Sequence, residues 1–179
     1  DYKYGWGLVN VKAAADIIQG YHDAPDKPSI IENQLTSTIV TRTHSFVWDG
    51  VSPIRATICW VDPAGTATTT SESRTARLVN NLNVKIVAPG GSEYLPFVMP
   101  FVGTWTQASM NLAATTGINN TDNVEQVLIG TPPAAGTYQA VVSFSGTLTN
   151  TNQRYSLVLS GTAPSGPLPP VVLSATPDS

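Results

Sequence analysis

An antiparallel β-sandwich or jelly roll, mainly β and preceded by one α-helix, is the fold this sequence predicts. Three observations carry the prediction. From about residue 24 onward, apolar and polar residues alternate with the period of two that a half-buried strand requires. Gly and Pro, 14 of each in 179 residues, separate those runs into short pieces, as in sandwiches and jelly rolls. A single segment, at the amino terminus, has helical spacing instead.

That segment comes first in the chain. Asn10 is a good N-cap, because its side-chain oxygen can accept an N–H that the first helical turn leaves unbonded. Leu8, Val11, Ala14, Ala15 and Ile18 fall on one face at helical spacing, and Gly20 stands where a C-cap is expected. An isolated helix of this length is marginal in water, so the apolar stripe needs a partner, and no second helix is predicted to supply one. His22-Asp23-Ala24-Pro25-Asp26-Lys27-Pro28 is polar, carries two prolines and reads as a linker.

Strands are expected over 38–48, 54–61, 82–88, 94–96, 124–129, 137–144 and 155–160. Leu82, Val84, Ile86 and Ala88 share one face. Tyr138, Ala140, Val142 and Phe144 form another, and Tyr155, Leu157 and Leu159 a third. Pro89-Gly90-Gly91-Ser92 is a hairpin signal. The loops over 63–77 and 100–122 are long, which marks function or mobility. A Pro-rich stretch over 162–170 is expected to be extended, and 171–177 reads as the first strand of a further β module. The expected organisation is therefore 1–23, a turn and helix belonging to another unit; 24–162, the sandwich; and 163–179, a linker with the start of the next module.

Composition narrows the function classes. A net charge of −3 gives no electrostatic reason to bind nucleic acid or an anionic membrane. The single cysteine, Cys59, excludes an internal disulfide. It stands between Ile58 and Trp60 and is expected to be a buried, inert thiol. Charged residues make up only 12% of the chain, with Thr, Ser, Asn and Gly supplying the polar surface, a balance common in secreted β proteins.

The opening segment Tyr4-Gly5-Trp6-Gly7-Leu8-Val9-Asn10-Val11-Lys12-Ala13-Ala14 resembles the closing turn and last Ala-rich helix of the catalytic domain of subtilisin-like serine proteases. Residues 56–63, 78–84, 122–125 and Gly136-Thr137-Tyr138 resemble, in the same order, the jelly-roll domain that follows that catalytic domain in a subset of secreted subtilases. The resemblance covers most of residues 4–160. It implies a secreted parent that cleaves peptide bonds with an Asp-His-Ser triad upstream of Asp1. The sandwich would stabilise the catalytic domain or help place protein substrate. In this chain the helix is expected to dock on the sandwich, on a second copy of the chain in a homodimer, or on the catalytic domain of the same polypeptide or a separately cleaved portion of it. No Gly-Thr-Ser-Met-Ala or His-Gly-Thr segment occurs in this sequence. The alternative is an independent extracellular module that binds carbohydrate or protein, with Trp48, Tyr94 and Trp105 as a stacking platform.

Two further sets of residues bear on chemistry. His22 and His44, with Asp23, Asp26 and Asp62 and many serines, could assemble a triad only through geometry, and no serine lies in a nucleophile-elbow sequence. Calcium is the better-motivated ligand, because it takes several oxygens from carboxylates, amides and carbonyls. Asp62, Asn81, Asp122, Asn123 and Glu125, at predicted strand ends, are the candidate ligands. The resemblance points the same way, since jelly rolls of that family often bind calcium at strand ends, although Asn81 stands where the family commonly has Asp. Asn119-Asn120-Thr121 matches a glycosylation sequon.

Overall fold

The computed structural model describes residues 4–70, 75–99 and 106–164. In chain order the elements are α1 (Val11–Asp23), β1 (Ile30–Thr36), β2 (Thr41–Val47), β3 (Ile54–Cys59), β4 (Asn81–Val87), β5 (Glu93–Tyr94), β6 (Phe97–Val98), α2 (Gln107–Met110), β7 (Thr115–Thr116), β8 (Val124–Ile129), β9 (Thr137–Ser145) and β10 (Asn152–Ser160). Two four-stranded antiparallel sheets, ordered β1-β10-β3-β8 and β2-β9-β4-β5, enclose the core. The chain changes sheet at each step between these strands except the β4–β5 hairpin. Strands close in sequence therefore sit in matching places, β1 opposite β2, β3 opposite β4 and β10 opposite β9. That is the winding of a jelly roll.

The alternation read from the sequence sets which side chains point inward. Leu82, Val84 and Ile86 of β4, Tyr138, Ala140 and Val142 of β9, and Tyr155, Leu157 and Leu159 of β10 are buried in one continuous core with Ile54, Ile58, Trp60, Val127 and Ile129. The β4–β5 hairpin closes as predicted, with Ala88 N–H on Ser92 O at 2.9 Å and Gly91 N–H on Ala88 O at 2.8 Å. Gly91 has φ +84° there, which a side chain disfavours.

Several elements differ from expectation. β1 was not among the predicted strands; its middle, Glu32-Asn33-Gln34, lacks the apolar residue that would have marked it. α1 runs past Gly20 to Asp23. Gln19 Nε2 donates to Asp23 Oδ1 at 2.7 Å across the final turn, and the stop comes at Ala24, whose successor Pro25 disfavours further helix. A one-turn helix, α2, lies in the second long loop and is closed by a capping box between Thr106 and Ser109. Cys59 is exposed, not buried. With Ile58 and Trp60 both in the core, the two-residue period turns the thiol outward. The segment over 171–177 and Trp105 lie outside the described residues.

Among the described residues the stripe on α1 covers nothing, so the expected docking of the helix on the sandwich does not occur. Leu8, expected on the helical face, lies ahead of the Asn10 cap and outside the helix; no residue of the helix is buried, with Leu8 100% exposed, Val11 70% and Ile18 62%. Asn10 does cap it, accepting the Ala13 N–H at 2.9 Å. Among the described residues no helix is long and apolar enough to cross a membrane.

Candidate functional site

The oxygen-rich residues gather at one end of the sandwich, where the 60–62 segment, the start of β4, the 119–123 turn and the β9–β10 connection meet. They divide into two groups with different duties.

The first group is a satisfied brace. Asp62 accepts the N–H of Val79 at 2.7 Å and of Asn80 at 2.8 Å, one on each carboxylate oxygen. The Asn80 side chain is buried. It accepts the Thr149 N–H at 2.7 Å and donates to Gln153 Oε1 at 2.8 Å. Gln153 in turn donates to Val61 O and Arg154 O, each at 2.9 Å, and the Trp60 indole donates to Asn80 O at 3.0 Å. Asn123 donates to Trp60 O at 2.9 Å. This network fixes Thr149-Asn150-Thr151-Asn152, a tight turn in which Asn150 and Thr151 both take positive φ, +60° and +61°. A β-branched residue in that region is strained. The brace thus ties β4 of one sheet to β10 of the other.

The second group is incomplete. Glu125 points inward from β8 and is fully buried. Its Oε2 accepts the Val84 N–H at 2.8 Å. The geometry explains why that N–H is available. Ile86 pairs with Tyr94, so a longer β5 would set Pro96 opposite Val84. The β5 ladder stops before that point, and the Pro96 carbonyl instead accepts the Gly117 N–H at 2.9 Å. Glu125 takes the place of the missing strand. Its Oε1, however, is buried without a partner, and so is Asn81 Oδ1. Burial is the main cause that pushes the Glu125 pKa up to about 8; the Val84 hydrogen bond opposes the shift and the nearby Asp122 charge adds to it.

The 119–123 turn shapes the rim of this group. Buried Asn119 accepts the N–H of Thr121 at 3.0 Å and of Asp122 at 3.2 Å, and donates to Asp122 Oδ2 at 2.9 Å. Asn81 Nδ2 donates to Asn120 Oδ1 at 2.7 Å. The sequon is therefore closed in the folded protein, because the Asn119 amide nitrogen is bonded and its residue is 1% exposed.

The structure brings Asp62, Asn81, Asp122, Asn123 and Glu125 to the same end. Asp62 and Asn123 serve the brace; Asn81 and Glu125 each carry an unpaired oxygen, and Asp122 accepts from Asn119. Sequence reasoning missed Gln153, whose only signal is a polar residue at an inward position of β10.

The histidines lie apart. His22 Nδ1 stands 3.1 Å from Asp23 Oδ1 at the exposed end of α1. His44 Nε2 meets the Tyr155 hydroxyl at 2.8 Å between the sheets, where burial, followed by the Arg42 charge, lowers its pKa below 6.5. Among the described residues neither histidine is hydrogen-bonded to a serine hydroxyl. Trp48 donates its indole N–H to Ser52 O at 2.7 Å and packs on the core, as does Tyr94.

No protein-family model matches the chain. It is 27% identical over 164 residues to a serine protease/ABC transporter B family protein, tagA, of Dictyostelium discoideum. The match covers 89% of this chain and 8% of that protein, so the chain spans a small part of its relative's length.

Proposed function

We propose that this chain is the non-catalytic carboxyl-terminal part of a secreted subtilisin-like serine endopeptidase, in which the jelly roll stabilises the catalytic domain or positions protein substrate. The observation that carries the reading is α1. A well-capped amphipathic helix whose stripe, Val11, Ala14, Ala15 and Ile18, is entirely exposed, together with Leu8 just ahead of its cap, is built to pack on something other than the sandwich it adjoins. Burial of such side chains contributes on the order of 1.5–3 kcal/mol each. The residues ahead of it resemble the closing turn of a subtilase catalytic domain, and the similarity to a serine protease-named protein supports the same class. A catalytic domain, on the same polypeptide or as a cleaved portion, is the proposed partner, with a homodimer through α1 as the substitute when that domain is missing.

Two measurements test this. The reading frame upstream of Asp1 should encode Asp, His and Ser triad segments; a frame without them overturns the proposal. The isolated chain should leave every serine unmodified by a fluorophosphonate probe, whereas stoichiometric labelling of one serine would place a nucleophile within the chain and refute its non-catalytic role.

A further inference from the structure

On the outer face of the sheet β1-β10-β3-β8 lies a groove of about 650 Å³, within the size range of ligand sites. Strand register fixes what faces it. Glu32 of β1 pairs with Ser156 of β10, and Ser156 pairs on its other side with Cys59 of β3. Arg154 stands two residues before Ser156 on β10, and side chains two apart share a face. All four line the groove. Glu32 and Arg154 carry opposite charges on neighbouring strands, with backbones roughly 8 Å apart by strand spacing and rise. Yet among the described residues no ion pair joins them, and neither charged group has a hydrogen bond. One end of the groove is held rigid. Asn150, which also lines it, has φ +60° beside Thr151 at +61°, and buried Asn80 fixes that turn through the Thr149 N–H at 2.7 Å.

We propose that this groove binds a short zwitterionic peptide, its terminal carboxylate on Arg154 and its terminal ammonium on Glu32. An extended peptide of about two or three residues spans about 7–10 Å, which matches the separation of the two charges. The charges select the class. A guanidinium takes a carboxylate through two parallel N–H bonds, and the Glu32 carboxylate accepts from an ammonium. A simple anion or cation leaves one of the two groups unmatched. A sugar calls for an open aromatic face to stack on, but the aromatic residues that line the groove, Trp60 and Tyr155, are 4% and 2% exposed. The Ser156 hydroxyl and the Asn150 and Asn152 amides, elsewhere along the groove, offer partners to peptide groups. Val61, 89% exposed, gives a side chain an apolar wall. Both charged residues face solvent, so each ionic contact is screened and the affinity is modest. The assignment does not rest on the protease reading, and each can fail alone.

Cys59, the chain's single thiol, is exposed and lines the groove, so it reports occupancy. The test follows alkylation of Cys59 by N-ethylmaleimide in the whole chain with trialanine added. N-acetyl-trialanine amide, which lacks both terminal charges, is the control. Trialanine at about 10 mM should slow alkylation about sixfold, the protection mass action gives for a Kd of about 2 mM, and the blocked peptide should not. Backbone amide shifts of Asn152 and Ser156 should give the same binding curve without use of the thiol. Arg154→Gln and Glu32→Gln, at exposed positions, should each weaken trialanine about fivefold. N-acetyl-trialanine keeps only the carboxylate, so its binding should respond to Arg154→Gln and not to Glu32→Gln. Equal protection by the blocked peptide, or binding unchanged in both variants, would overturn the zwitterion assignment. Neither protection nor amide shifts with trialanine up to about 50 mM would overturn the site itself.

Discussion

The sandwich and the helix that precedes it use apolar residues in opposite ways. In β4 and β10 every second side chain is sealed in the core, and the polar groups trapped between the sheets are largely matched to partners. In α1, Val11 and Ile18 are as regularly spaced but face solvent, as does Leu8 just ahead of the helix. The contrast separates two kinds of pattern. A period-two pattern in this chain finds its complement in the facing sheet, because the jelly roll folds back on itself. The helical pattern has none within the described residues, and the partner proposed above would supply it.

Mutations in the two regions should differ accordingly. Leu157→Ala, at a fully buried position, should destabilise the chain by about 2–5 kcal/mol, measured by urea unfolding. Asn80→Ala removes the side chain that holds Thr149 and Gln153 and strands their buried partners, and should cost about 2–3 kcal/mol in the same assay. A loss below about 0.5 kcal/mol would mean that the brace does not set the stability of that end.

The His44–Tyr155 contact gives a pH signature confined to the sandwich. The folded-state pKa of His44 lies below 6.5. Its contribution to stability is therefore fully present above about pH 6.5 and is lost as the pH falls through the folded value. His44→Gln, which can still bond Tyr155, should flatten the stability profile over that interval. A profile unchanged by the substitution would show that the slope has another source. Thr151→Gly relieves a positive φ and should stabilise by about 0.5–1 kcal/mol. The smallest effect is expected in the helix. Ile18→Ser should move stability of the isolated chain by less than about 0.5 kcal/mol, and sedimentation with and without residues 4–23 shows whether the stripe pairs two chains. A large loss from Ile18→Ser in a monomer would erase the contrast between the regions.

The sequence carried the fold class through simple parity. Leu82, Val84 and Ile86, or Tyr155, Leu157 and Leu159, can be read as inward faces from their spacing alone. Parity also decides Cys59 against its own hydrophobicity, since two core neighbours force it outward. β1 escaped because Asn33, in the middle of the strand and on the same parity as Ile31 and Leu35, interrupts the apolar alternation. The candidate site was legible as chemistry but not as geometry. Asp62, Asn80 and Glu125 are equally oxygen-rich in sequence. Only the ending of β5 before Pro96 makes a vacant Val84 N–H for Glu125, and only the chain winding brings Gln153 to Asn80. Such pairings span from 41 to 73 residues of sequence, beyond the reach of local patterns.

The pairing of β1 with β10 has a mechanical consequence. Ile30 lies opposite Val158, and Leu159 N–H bonds Ser29 O at 2.8 Å, so the polypeptide enters and leaves the sandwich side by side. Units joined at the two points would stand as neighbours, with the jelly roll hanging from them as a pendant and not spacing them apart. Tension applied through the two connections would pull β1, an edge strand whose one sheet neighbour among the described residues is β10, away from β10 from that end, opening one rung after another like a zipper. Such loading shares the force among few bonds at a time. The sandwich would yield to a pull from its own tethers sooner than to one across its long axis.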